Sequence, residues 1–310
     1  NVAYPGVYQA FLNSIDVINL DLGFVVSAGC FWPGIDFHHR LLASTLWPLA
    51  VLGLLVVTYT VAVRRKSASC KMVREKIRNK HLSVMLLLLF LVYSSVSLTV
   101  FRMFACDSVD DGNNYLRADY RIMCTDAKHR ALQVYAAIMI AVYPVGIPLL
   151  YAVLLYRHRV ALSDARACKT AAKPIADLWA PYRPNAFYYE VIECGRRIVL
   201  TGVVVFIFPN AAAQVAITIM NSLFFFVVSE VLSPYASSSD TWLARGGQVI
   251  ILFSMYDALL LKIDVSKERS ESQHVFAAVL VAGHVILIMA VVVEAIGICY
   301  AARRKRRRVE

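Results

Sequence analysis

Apolar residues in this chain are gathered into blocks, and runs of about twenty residues without one Asp, Glu, Lys or Arg recur along it. A helix of that length is about 30 Å long, the thickness of a bilayer's hydrocarbon core. Water-soluble helices instead alternate apolar and polar residues every three to four positions. The overall composition agrees with the blocks: hydrophobic residues make up 59% of the 310 and the mean hydropathy is +0.60. A transmembrane β-barrel would alternate inward and outward residues over about ten positions, a pattern the sequence lacks. The fold class expected is therefore all-α, a polytopic α-helical membrane protein.

Five spans are plain, near 42–63, 82–104, 132–155, 242–261 and 275–302. The stretch 198–229 is charge-free for 32 residues, which as one helix would reach about 48 Å and overshoot a bilayer. Phe208-Pro209-Asn210 is a turn signal inside it. Reading it as a hairpin gives spans near 188–208 and 211–232, seven in all. The positive-inside rule tests that count. Loop 64–81 carries eight Lys/Arg against one Glu, and 156–184 carries six Lys/Arg, so both belong in the cytoplasm. Loop 106–124 is acidic and belongs outside. Seven spans with the N-terminus outside satisfy all three and also put the basic tail inside, whereas six would put that tail outside.

The domain reading follows: an extracellular lead-in over 1–41, a seven-helix membrane domain over 42–302 and a polybasic cytoplasmic tail over 303–310. The chain starts at Asn1 without Met or a signal peptide, so a longer protein with its own N-terminal ectodomain is expected. A net charge of +11 would suit nucleic acid in a soluble protein. Here it sits in cytoplasmic loops and in Arg303, Arg304, Lys305, Arg306, Arg307 and Arg308, which suits anionic lipid of the cytoplasmic leaflet and not nucleic acid. Among seven cysteines, Cys106 and Cys124 share the acidic outer loop and are the first choice for a disulfide, with Cys30 able to replace either. No cysteine and histidine spacing suggests a zinc site.

Ionisable groups inside spans mark functional sites or fix helices together, because burying one in lipid costs at least about 2.5 kcal/mol. Counting from the outer ends, Asp257 lies about 8 Å deep, His284 about 14 Å and Asn221 about 15 Å. These three are expected to share an outer layer, with Asp257 and His284 as a structural pair or as a cation- or proton-handling site. Toward the cytoplasm, Glu193 and Arg197 stand four apart with the acid first, the favourable order on a helix, and Glu190 lies one turn earlier. Glu230 and Glu294 reach the same inner depth, where Arg196 or Arg197 can extend to meet them.

The span 132–155 contains Tyr143-Pro144-Val145-Gly146-Ile147-Pro148 at its centre. Because its flanking loops need opposite sides, the segment must be a bent helix and not a loop. Pro144 and Pro148 lack N–H groups and crowd the carbonyls four residues back. Pro144, Gly146 and Pro148 thus make either a fixed kink or a hinge whose open carbonyls help to bind a cation.

Catalytic motifs such as HExxH, GxSxG and a P-loop are missing, so an enzyme is not expected. Tyr256-Asp257 matches half of an intramembrane aspartyl protease, but the second aspartate in a GxGD is missing.

A family resemblance rests on an ordered set of short motifs. Phe104-x-Cys106, Tyr115-Leu116-x-x-Asp119, Cys124 and His129 lead into Tyr143-Pro144-x-Gly146-x-Pro148. Pro181-Tyr182, Tyr189-Glu190, Arg196-Arg197, Phe208-Pro209, Gln214 and Pro234-Tyr235 follow. Together they resemble the C-terminal membrane domain of TRP-like proteins of fungi, oomycetes and algae, over nearly the whole chain. The resemblance implies a channel-like or transport role at the plasma membrane, linked to cations such as calcium or to sensing. It also implies further helices and an ectodomain before Asn1, and is compatible with a homo-oligomer. Neither a filter loop of the TVGYG type nor a link long enough for a re-entrant pore loop is present, so any pore runs between helices. Two alternatives share the span count: a seven-span receptor, which lacks NPxxY and E/DRY, and a non-conducting anchor for an ectodomain.

Overall fold

The computed structural model describes residues 36–65, 71–109, 112–163, 173–206 and 212–262, together with 278, 281–286, 288–293, 296 and 297. The chain is mostly helical and forms two compact units, one of Asp16–Ile207 and the other of Phe208–Glu310 with Asn1–Ile15. Among the described residues, five helices are long and apolar enough to cross a membrane.

In the first unit, α1 (Phe37–Arg65) packs along α2 (Lys71–Arg102). Helix α1 starts five residues before the expected span. Helix α2 starts eleven residues early, because the basic stretch 71–81 holds no breaker and its Lys, Arg and Glu are good helix formers. Half of the most apolar part of α2 is buried against 6% of that of α1, so α2 is the axis of the unit and α1 turns most of its surface outward. Leu54 and Val57 of α1 are more than half exposed, which in an aqueous protein would be costly and in lipid is not.

The loop 106–124 is not an unstructured link. Cys106–Ser108 (β1), Asn114–Leu116 (β2) and Asp119–Met123 (β3) form an antiparallel sheet in the order β1-β2-β3. Cys106 is paired with Leu116 across it, and the Cys106–Cys124 disulfide joins its two ends. Cys30, the other candidate partner, lies outside the described residues.

Beyond the sheet, α3 (Ala127–Ile140), a π turn (Ala141–Val145) and α4 (Gly146–Ser163) run on as one helical rod. The expected bend at Pro144 is thus a widened turn within a continuous span. Burial explains the extra residue. From Ala136 the buried positions continue through Met139, Tyr143, Ile147, Tyr151 and Leu155. That is five turns in 19 residues, against about 18 for an α-helix. The π turn takes up the difference and keeps the stripe on one face. A Cβ on Gly146 would lie 2.9 Å from the Ala141 carbonyl oxygen, so glycine is what the wide turn admits.

A single turn, α5 (Ala176–Trp179), leads to α6 (Tyr189–Thr201), which continues into a 3-10 turn at Val203–Phe206. At the junction, a Cβ on Gly202 would run into the Phe101 ring of α2. The core gathers Leu41, Leu86, Tyr93, Val96, Tyr143 and Tyr151 around α2.

In the second unit, α7 (Ala212–Leu232) packs against α8 (Ser238–Lys262). The buried face of α7 is Val215, Thr218, Ser222 and Ser229, small residues that allow close helix approach in lipid. Ser233 closes α7 in the left-handed region at φ 41°, donating its N–H to the Ser229 carbonyl just before Pro234. A shorter apolar helix covers Val281–Val293. The tail 303–310, Glu294 and nearly half of the expected last span lie outside the described residues.

Candidate functional site: buried polar groups inside the helices

Along the first unit, buried polar side chains meet at three levels. At the sheet end, His38 of α1 and His129 of α3 touch through Nε2 and Nδ1 at 3.2 Å. At the middle level, the Tyr143 hydroxyl donates to the Thr45 carbonyl at 2.6 Å, and the Thr45 hydroxyl lies 2.6 Å from that of Tyr135. The π turn therefore points its buried tyrosine at a backbone carbonyl three residues before Pro48 of α1, where the helix backbone is weakest.

The third level is the acidic face of α6. Glu190, Glu193 and Cys194 are buried on one side of that helix. Glu193 is held by both Nε and Nη2 of Arg196, the former at 2.9 Å, and lies 3.4 Å from Arg197 Nε. The sequence expectation of a Glu193–Arg197 pair is met, but Arg196 is the closer partner. Arg197 also lies over the Phe90 ring of α2, 4.7 Å from its centroid, which spreads its charge over an aromatic face. Glu190 accepts a hydrogen bond from the Tyr182 hydroxyl at 2.6 Å, and its other oxygen has no hydrogen-bond partner among the described residues. A carboxyl so placed is chemically able to hold a proton or a cation.

The second unit handles charge differently. Glu230 was expected to meet Arg196 or Arg197. It is instead gripped by both guanidinium arms of Arg245, each at 2.6 Å, across the short turn from α7 to α8. Arg245 is nearer in the chain and projects from the first turns of α8, so the pair closes locally. Asp257 of α8 is only 3% exposed, and neither of its carboxylate oxygens has a hydrogen-bond partner among the described residues. The expected Asp257–His284 pair is therefore not formed. Gly283 faces Ile250, and Ile250 stands seven residues, about 10 Å of helix, from Asp257. Asn221 is half-buried and its amide nitrogen has no partner among the described residues. The three residues expected to share a layer thus lie in one unit without a direct bond from Asp257 to the other two.

Three contacts escaped the sequence. His38 and His129 are 91 residues apart, and no spacing rule joins them. Tyr182 and Glu190 belong to different local elements. The Glu230–Arg245 pair went unread as well, although Arg245 stands only about two turns into the helix that follows Glu230. Among the described residues, Cys106, Cys124 and His129 form the one set of three donors within 4.8 Å of one another, and both sulfurs are spent in the disulfide.

No protein-family model, curated protein or solved structure matches the chain.

Proposed function

We propose that this chain is the membrane-embedded part of a channel-like transport protein for cations, with calcium the first ion to test, acting at the plasma membrane. The observation that carries the reading is Asp257, a buried carboxylate without a hydrogen-bond partner among the described residues, on a helix long enough to span a bilayer. A helix that only anchors has no use for such a group, which costs stability wherever it is charged and dry. Glu190, with one open oxygen, is the second ion-handling candidate.

Seven crossings, an outer N-terminus and an inner C-terminus remain the topology proposed. Helix α6 with its 3-10 extension measures about 20 plus 8 Å, close to the bilayer core, which supports it as the fourth crossing. The two basic loops and the basic tail then all face the anionic lipid of the cytoplasmic leaflet. Pro144, Gly146 and Pro148 are proposed as the moving part of the third crossing. The resemblance to TRP-like membrane domains supports this reading through the motifs on which it rests, and subunits of such a protein would assemble around a shared path.

Cation flux into vesicles containing the purified protein tests it. Wild-type protein is expected to carry calcium or another cation, and Asp257→Asn to abolish that flux while the protein remains folded. Flux unchanged in Asp257→Asn removes Asp257 from the path. No flux at any voltage would sink the transport reading and favour the anchor.

A further inference from the structure

The buried histidine pair sits where α1, the sheet and α3 are tied together. We propose that His38 and His129 form a proton-binding site that latches the first turn of α1 to the sheet and to α3, and that acidification opens it.

The ties are specific. The carboxylate of Asp119 in β3 accepts the Phe37 N–H at 3.2 Å and is gripped by Arg121 at 2.8 and 2.7 Å. An acid there satisfies one of the free N–H groups at the start of α1 and favours its dipole. Asp36 lies 3.4 Å from Lys128 of α3 and 2.8 Å from His39. Between these two surface ties lies the dyad, with His38 at 4% and His129 at 0% exposure and their rings 5.5 Å apart.

Protonation follows from the geometry. Two neutral imidazoles share one N–H across the 3.2 Å contact. The remaining nitrogens, His38 Nδ1 and His129 Nε2, have no hydrogen-bond partner among the described residues. A first added proton occupies one of these and leaves the shared contact intact, with Asp36 3.7 Å from His38 Nδ1 to balance it. A second places two N–H groups face to face and two positive charges in one buried site. The groups around the pair are Asp36, His39, Asp119, Asp126 and Lys128. Lys128 and His39 oppose the added charge, and the three acids do not touch His129 Nε2. The doubly protonated pair therefore separates, and α1 loses its buried tie to α3.

The two carboxylates do not share this transition. Burial pushes Asp36 up, but the His39 N–H and the charges of His39 and Lys128 outweigh it, so its carboxyl stays below the usual range. Hydrogen bonding from Arg121 holds Asp119 low as well. Both remain ionised where histidines titrate.

Hydrogen exchange read by mass spectrometry on the whole purified chain in lipid nanodiscs tests the latch, and needs no conduction. Between about pH 7.5 and about pH 5, after correction for intrinsic rates, segments 37–45 and 119–129 are expected to exchange about tenfold faster, the factor one pK unit supplies. His38→Gln and His129→Gln should each remove the step, while His39→Gln, at an exposed neighbour, should keep it. The proposal is overturned if the wild type shows no step, if the step survives in either buried variant, or if His39→Gln removes it. Should the buried variants not fold, imidazole NMR of the wild type decides. Two separated protonations with the second tied to faster exchange support the latch, and two independent ones overturn it.

Discussion

The two units treat buried charge in opposite ways. In the first, Glu193 is matched by two arginines, Glu190 by a tyrosine and His38 by His129. In the second, Asp257 is as deeply buried as Glu193 but has no partner among the described residues. A buried charge with good partners locks neighbouring helices in one arrangement, while the same charge without them lowers stability. The contrast teaches that depth alone does not mark a working residue in a membrane. The state of its partners does, and by that measure the second unit holds the better site.

The sharpest way to break this comparison is Glu193→Ala. It leaves Arg196 and Arg197 without their carboxylate and is expected to cost about 3 kcal/mol, the low end for a broken buried pair because Arg197 is 25% exposed. Thermal unfolding in detergent measures it, and an unchanged midpoint would show that the first unit is no better satisfied than the second. Gly146→Ala comes next. Its new Cβ presses on the Ala141 carbonyl, displaces the π turn with its Tyr143–Thr45 bond, and should cost about 1–2 kcal/mol in the same assay. Asp257→Asn sharpens the comparison from the other side. Removing an unpartnered charge should leave the midpoint unchanged or raise stability by up to about 1 kcal/mol, even as flux is lost. A variant that loses stability as Glu193→Ala does would reveal a partner for Asp257.

The smallest effect concerns Asp119. Its carboxyl is held below the usual value, chiefly by the Arg121 hydrogen bond. It therefore contributes stability that is complete above about pH 4, the unfolded value, and is lost as pH falls through the lower folded value. Asp119→Asn should flatten this acid limb of the unfolding curve, and an unaltered limb would remove Asp119 from the helix cap.

Much of the fold was legible because lipid imposes a simple rule on composition. Charge-free runs marked α1, α2, α7 and the rod from α3 to α4, and the opposite charges of the flanking loops argued for Tyr143–Pro148 inside a helix. The form of its bend was not legible. A proline permits a kink or a wide turn, and only the positions of Tyr143, Ile147 and Tyr151 on the buried stripe distinguish them. The site was legible by residue type but not by pairing. Depth counting places residues along the bilayer normal and says nothing of their angle around a helix, so Asp257 and His284 were brought level without facing one another. Close pairs were read better, as with Glu193 and its arginines, because helix geometry itself sets the angle at three and four residues.

That angle gives the π turn a further consequence. One surplus residue is about 100° of rotation. The two halves of the rod from α3 to α4 are therefore out of phase by that amount relative to an uninterrupted helix. If the surplus residue were absorbed elsewhere, Ile147, Tyr151 and Leu155 would swing away from the core and the neighbouring, now exposed Leu149 and Leu150 would turn with them. The helix thus carries a built-in angular offset at Tyr143–Gly146. It lets α1 and α2 set the orientation of the half before it, while α6, together with the Tyr151 hydroxyl on the Leu86 carbonyl of α2, sets that of the half beyond.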